Sequence, residues 1–142
     1  NYMIKGLVKN MEHVLISCKN GVLYAGELLP GYSEERNWIG IKPSSHSEIK
    51  IYFFFSASDT IYFQNGTKFK TKYEENKVSG LKELLPEPRR EMLIRSAGGV
   101  SFKGFLIGEG LGNSKEYCLA LTEDCDMIVC IPESEAERIF IS

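Results

Sequence analysis

The sequence of 142 residues contains no apolar run long enough to cross a membrane as a helix. The longest such run, from Ile49 to Phe55, is broken by Lys50, whereas a membrane helix needs about 20 apolar residues. The sequence also lacks an excess of one charge, because 17 Lys and Arg residues stand against 19 Asp and Glu residues. This balance counts against binding to nucleic acid by bulk electrostatics. We therefore expect a folded cytoplasmic protein without membrane contact.

Cysteine is scarce, and its spacing forms no metal motif. None of the four cysteines belongs to a Cys-x-x-Cys pair, and both histidines lie far from them in sequence. Residues 1–11 lack the apolar segment of a secretory signal, so we predict reduced thiols, no metal and no cofactor. A hairpin centred on Asp124 would place Cys118 opposite Cys130, as a thiol pair or, under oxidation, a disulfide.

The sequence also lacks a recognisable catalytic motif. Cys125 lies between two aspartates, which raise the pKa of a thiol and so disfavour a nucleophile. The glycine-rich run at residues 108–112 lacks the lysine and hydroxyl residue of a phosphate-binding loop. We find no acid–base pair and predict that the protein is not an enzyme.

What the sequence does contain is an internal similarity. Residues 14–28 and 92–106 align at an offset of 78, with six of fifteen positions identical. The same offset aligns residues 59–63 with residues 137–141 without a gap. The pattern predicts a duplication. We assign repeat one to residues 1–64, a hairpin extension and linker to residues 65–89, and repeat two to residues 90–142.

Each repeat shows the patterns of a small all-β unit. Alternating apolar residues at 14–18 predict a strand, and Asn20-Gly21 predicts the turn after it. The matched strand glycines Gly26 and Gly104 indicate a bend or a close backbone approach. Five short strands are predicted in each repeat, and a second Asn-Gly turn is predicted at residues 65–66. Apolar residues at helical spacing in residues 4–11, and a capped segment at residues 79–85, predict two short helices.

The motif Lys19-Asn20-Gly21-x-x-Tyr24-x-Gly26-x-Leu28 resembles the first half of the Sm and Sm-like signature. Repeat two fits the same motif with Gly99, Phe102, Gly104 and Leu106. The resemblance implies a mainly β protein of two tandem five-stranded Sm-like or SH3-like barrels, each preceded by a short helix and packed together. The RNA-binding residues of that family do not carry over. Residues 29–37 depart from its first RNA-binding loop, and acidic segments at residues 56–59 and 134–137 replace its Arg-Gly step.

A protein-interaction or assembly module is the leading functional hypothesis. The runs at residues 52–55 and 127–131 are apolar on both strand faces, so both faces need a cover in the fold or in a partner. Self-association through free strand edges is a related expectation. The candidate contact residues lie in the loop before and at the start of the third strand: Tyr32, Glu34, Glu35, Arg36, Asn37 and Trp38.

Three alternatives remain open at this point. The first is RNA binding through a strand that combines cations with aromatic residues, although a lysine-rich edge strand also prevents aggregation. Its candidate residues are Lys68, Phe69, Lys70, Lys72 and Tyr73. The second is an immunity-type inhibitor whose acidic loops block a basic nucleic-acid enzyme. The third is a small-ligand site between the barrels, lined by Tyr32, Trp38 and Tyr52.

Overall fold

The computed structural model describes residues 12–33, 35–72, 89–109 and 115–141 of the chain. This part of the chain is mainly β, as predicted. One 3-10 turn, Glu133–Glu135, precedes the last strand. The strands are β1 His13–Cys18, β2 Leu23–Leu28, β3 Trp38–Lys42, β4 Lys50–Phe54, β5 Ser58–Phe63, β6 Lys68–Lys70, β7 Glu91–Ser96, β8 Ser101–Glu109, β9 Glu116–Ala120, β10 Met127–Pro132 and β11 Ala136–Ile141.

All eleven strands belong to one antiparallel sheet with the order β11-β7-β8-β9-β10-β4-β3-β2-β1-β5-β6. The sheet is not closed, and the described residues do not show the two five-stranded barrels that we expected. Both predicted helices, at residues 4–11 and 79–85, lie outside the described residues. Among the described residues no helix is long and apolar enough to cross a membrane.

The two halves of the sheet pair their strands in the same register. We call residues 12–72 the first half and residues 89–141 the second half. Val14 pairs with Gly26, and 78 positions later Met92 pairs with Gly104. The same offset relates the pairs of β1–β5 to those of β7–β11, and the two pairs of β2–β3 to pairs of β8–β9. The offset that we found in the sequence therefore also describes the hydrogen-bonded ladders.

The halves join edge to edge through β4 and β10, which are equivalent strands. Ile51 pairs with Val129, and these two residues are themselves 78 positions apart. Tyr52 pairs with Ile128, and Lys50 pairs with Cys130. Because Cys130 is the equivalent of Tyr52 and Ile128 is the equivalent of Lys50, the offset of 78 converts each of these pairs into the other. Such self-complementary pairing is typical of a twofold interface between two copies of one unit. Here it relates two halves of one chain.

One hydrophobic core extends across this junction. Alternate residues of β4 and β10 place Ile51, Phe53 and Val129 in the same buried cluster, at 3% exposure or less. The cluster also includes Ile16 from β1 and Ile94 from β7, both with no exposed surface. The described halves thus share their core instead of burying separate cores.

The predicted turns are confirmed at their glycines. Gly21 follows β1 with a φ of +86°, and Gly99 follows β7 with a φ of +90°. Gly66 ends the turn between β5 and β6 with a φ of +92°. A positive φ is costly for residues with a Cβ atom, so glycine is required by conformation at these turns.

Cys18 provides a pH-dependent test of this core. Burial raises the pKa of its thiol from 9.0 to about 11, and the charge of Asp126 acts in the same direction. The folded protein therefore keeps this proton to a higher pH than the unfolded chain does. This contribution to stability is fully present below pH 9 and is lost as the pH rises towards about 11.

Between pH 9 and about pH 11, the unfolding free energy of the unaltered protein should fall further than that of Cys18→Ala. We expect the difference between the two decreases to be roughly 2 kcal/mol. Urea unfolding of both proteins at several pH values, under reducing conditions, measures the difference. Comparing the pH slopes removes the constant cost of truncating the side chain. Parallel slopes would show that the Cys18 thiol does not supply the effect.

Candidate functional site

A shallow groove of about 250 Å³ lies on the outer face of the junction between the halves. Residues of β3, β4, β9 and β10 that point away from the shared core form its floor, because side chains alternate along a strand. Its lining is almost entirely apolar. The groove, called the outer groove below, is lined by Trp38, Tyr52, Phe54, Ile107, Cys118, Ile128 and Cys130.

Two aromatic side chains form one side of the outer groove. The rings of Trp38 and Tyr52 meet edge to face, with their centroids 5.9 Å apart. The Arg36 guanidinium lies over the Trp38 ring, 5.5 Å from its centroid. Trp38 and Tyr52 are each half-buried, so they present apolar surface and a polar edge to the solvent.

Two thiols form the other side. Cys118 of β9 and Cys130 of β10 lie directly opposite each other, and their Sγ atoms are 3.0 Å apart. The sequence suggested that a hairpin could place these two cysteines opposite each other, and the structure shows them there as free thiols. Cys118 is 1% exposed and Cys130 is 8% exposed.

Equivalent positions in the two halves fill this layer differently. Gly40 and Tyr52 face each other in the first half, at the positions of Cys118 and Cys130 in the second. A Cβ atom on Gly40 would lie 2.9 Å from the Tyr52 ring. In the first half, a large ring therefore packs over a glycine. In the second half, two cysteines of intermediate size fill the equivalent space.

The electrostatics of the thiol pair follow from their contact and their burial. The hydrogen bond between the two thiols holds the pKa of Cys118 below its ordinary value. The same bond raises the pKa of Cys130, and burial adds to that increase. Burial also raises the pKa of Tyr52.

Charged groups lie close to this floor. Lys50 is opposite Cys130 in the β4–β10 ladder, and its ammonium group favours the thiolate form of Cys130. Glu116 precedes Cys118 by two residues and so shares its face of β9. Its carboxylate and the two sulfurs offer ligand atoms that all lie within 4.8 Å of one another.

The interaction residues that we predicted do not all lie on one surface. Trp38 lines the outer groove, and Arg36 contacts the Trp38 ring. Tyr32 instead packs on the core side, with its ring centroid 5.7 Å from that of Phe63. Tyr32 and Trp38, which we expected to line one site, thus lie in different places, since Tyr32 packs against the core and Trp38 lines the outer groove.

Two other residues of that loop, Asn37 and Glu35, form backbone hydrogen bonds. Asn37 is 8% exposed, and its carbonyl oxygen accepts the Phe55 N–H at 2.8 Å. Glu35 is exposed, and its N–H donates to Ser33 Oγ at 3.2 Å. Glu34 lies outside the described residues.

The predicted nucleic-acid residues do not share one surface. Lys68 and Lys70 are exposed on β6, at the edge of the sheet, and Lys72 is exposed just beyond it. Phe69 is half-buried against the core, with its ring centroid 5.8 Å from that of Phe55. Phe69 is thus turned away from the lysines, and Tyr73 lies outside the described residues.

A second cavity, of about 600 Å³, opens between the halves. Its apolar wall includes Tyr24 and Phe102, which occupy equivalent positions on β2 and β8. At its other side the Glu135 carboxylate accepts the Ser47 hydroxyl at 2.6 Å and the Glu48 N–H at 2.7 Å. We call this cavity the inter-half cleft.

Sequence reasoning named several residues of the outer groove but did not bring them together. Trp38 and Tyr52 of the first half meet Ile128 of the second half only because β10 pairs with β4. The available signal was the apolar character of both faces of residues 52–55 and 127–131. That signal indicates covered faces without identifying the strands that meet.

Comparison of the chain with protein-family models and with curated proteins gives no match.

Proposed function

We propose that the protein is a protein-interaction module whose outer groove receives an apolar side chain of a partner. The observation that carries this proposal is the apolar groove at the junction, with Trp38 and Tyr52 along one side and Arg36 over the Trp38 ring. Tryptophan, tyrosine and arginine are the residues that most often dominate the energy of protein interfaces. The duplicated Sm-like barrels that the sequence resembles remain our hypothesis for the origin of the scaffold.

The size of the outer groove supports a side chain rather than a whole small molecule. Sites for drug-sized ligands occupy about 300–1,000 Å³, whereas this groove encloses about 250 Å³. Lys50 and Glu116 place charges of opposite sign beside its floor. We therefore infer that the partner presents an apolar anchor residue.

We expect Trp38→Ala or Tyr52→Ala to weaken partner binding by about 2 kcal/mol or more, roughly 30-fold. The tagged protein and these variants are used to capture binding proteins from the extract of its own cells, with elution by increasing salt. A purified candidate is then titrated by isothermal titration calorimetry, which measures every variant, including Trp38→Ala, the variant that lacks the single tryptophan.

Leu23→Ala provides the matched control. Leu23 is an apolar residue of β2 that is 58% exposed and does not line the outer groove. Binding that is lost in the groove variants and kept in this control would support the proposal. A partner held equally by all variants would contradict it.

RNA binding makes a different prediction in the same experiment. Contacts with phosphate weaken steeply between 50 and 200 mM salt. RNA that elutes in this range and is lost in Lys68→Glu and Lys70→Glu would favour the Sm-like alternative. The inward position of Phe69 supports the solvated-edge interpretation of these lysines. An immunity-type inhibitor would instead retain a basic enzyme as its stoichiometric partner.

The inter-half cleft is the observation that favours the small-ligand alternative. Its volume of about 600 Å³ lies within the range of ligand sites, and its apolar wall faces a carboxylate and a histidine, His46. Its aromatic residues are Tyr24 and Phe102, not the ones that we predicted. A small molecule that remains bound through native purification, with no protein partner, would favour this alternative.

A further inference from the structure

The thiol pair in the outer groove has the backbone geometry of a cross-strand disulfide. Cys118 and Cys130 are directly opposite in the β9–β10 ladder. Directly opposed residues of antiparallel strands have Cα atoms about 4.5–5.5 Å apart, which lies within the range that a disulfide spans. The sulfur atoms are already in contact, at 3.0 Å. A bond between them therefore requires a small side-chain adjustment and no change of strand register.

The surroundings favour a neutral disulfide over a bound cation. Glu116 completes a set of three donor groups, but a structural zinc site has four ligands, and no fourth belongs to this cluster among the described residues. Lys50 lies opposite Cys130, where its positive charge would oppose a cation. A disulfide adds no charge to the apolar floor of the outer groove.

We propose that Cys118 and Cys130 are a redox modification site, at which a small hydroperoxide converts the two thiols reversibly into an intramolecular disulfide. The oxidant must be small because the sulfurs are almost completely buried. The proposal does not depend on what the outer groove binds. It goes beyond the proposed docking function, since it concerns the chemistry of the groove floor itself.

The reaction balances with the peroxide as the sole oxidant. The Cys118 thiolate attacks one peroxide oxygen, the O–O bond breaks, and the hydroxide that leaves takes a proton to form water. The Cys130 sulfur then attacks the sulfenic sulfur of Cys118 and expels a second hydroxide, which takes the Cys130 proton. Two thiols and one hydrogen peroxide thus yield one disulfide and two water molecules.

The two sulfurs are in hydrogen-bond contact, and either can act as the donor. Their contact lowers the pKa of Cys118 and raises that of Cys130. In this proposal Cys118 therefore reacts first and Cys130 resolves the sulfenic acid. Cys18 and Cys125 are buried thiols as well, and they serve as internal references.

The experiment treats the fully reduced protein with hydrogen peroxide and counts thiols after denaturation. We expect two of the four thiols to be lost, with the mass of the chain reduced by two hydrogen atoms. Peptide mapping without reduction should join the peptides that contain Cys118 and Cys130. Dithiothreitol should restore all four thiols.

Matched variants assign the bond to the pair. Cys125→Ala should still form the disulfide, whereas Cys118→Ala should lose no pair of thiols. If a variant does not fold, the peptide map of the unaltered protein still decides the question. Four thiols that persist in excess peroxide would overturn the proposal. So would a bond to Cys18 or Cys125, a bond between chains, or sulfinic acid at Cys118 without a disulfide.

Discussion

Phe53→Ala is expected to lower the free energy of unfolding by about 3–5 kcal/mol. The Phe53 side chain has no exposed surface, and its ring centroid lies 5.1 Å from that of Tyr24. Phe53 also pairs with Met127 across the junction of β4 and β10. Total stabilities of natural domains are about 5–15 kcal/mol, so this change removes a large share.

Because the core is shared, Phe53→Ala should also affect residues of the second half. Phe53 belongs to the first half and Ile94 to the second, yet both lie in the same buried cluster. We therefore expect hydrogen exchange at the Ile94 amide to accelerate together with exchange in β4. Hydrogen exchange by NMR, alongside urea unfolding followed by Trp38 fluorescence, measures both.

Tyr62→Ala serves as the control for this experiment. Tyr62 is an aromatic residue of β5 that is 43% exposed, and surface substitutions usually change stability by no more than about 0.5 kcal/mol. If protection in β7 is unchanged by Phe53→Ala, the halves unfold separately. That result would contradict the shared core and favour two halves that fold independently.

The strands and turns could be predicted because their signals are local. The alternation of apolar residues at 14–18 indicates that one face of β1 is buried. Gly21 indicates a turn with a positive φ angle. The offset of 78 extends these signals, because it transfers each expectation from one half to the other. For this reason the strands of the second half were recognisable even where their own patterns are weak.

The joining of the halves was not predictable in the same way. The apolar run at residues 52–55 showed that both faces of β4 needed cover, but several partners satisfy that condition. Choosing β10 depends on the relative fit of edges that are 78 residues apart. The outer groove is a product of that choice, so Trp38 was recognised as a candidate while Ile128 was not.

The division of aromatic residues between core and surface was also beyond the sequence. Tyr32 and Trp38 lie in one loop region, yet one packs on Phe63 and the other on Tyr52. Phe69 likewise turns inward from a strand of lysines. Amphipathic rings suit both environments, so the direction of each ring is set by the space left by distant strands.

The strand glycines give the second prediction with a large effect. A Cβ atom at Gly104 of β8 would lie closer than 3.0 Å to the carbonyl oxygen of Ala120 in β9. At the equivalent Gly26 of β2, a Cβ atom would lie 2.7 Å from the carbonyl oxygen of Lys42. Lys42 and Ala120 are 78 positions apart, so the same close approach occurs in both halves.

We expect Gly104→Ala to destabilise the protein by about 3 kcal/mol, at the upper end of the cost of overpacking. The obstacle is strand backbone, which cannot move aside as a flexible side chain does. Because the two sites are equivalent, Gly26→Ala should lower the unfolding free energy by a similar amount. Urea unfolding measures both.

Gly98→Ala is the matched control, since it is the same substitution at a glycine with space around it. A Cβ atom at Gly98 would be 3.9 Å from its nearest neighbour, Ser96 Oγ. Alanine there should leave stability unchanged or raise it slightly, because it restricts the unfolded chain. Equal effects at Gly98 and Gly104 would contradict the close approach of β8 to β9. A large loss at Gly104 with none at Gly26 would mean that the two halves bend for different reasons, and that their common offset reflects strand pairing alone.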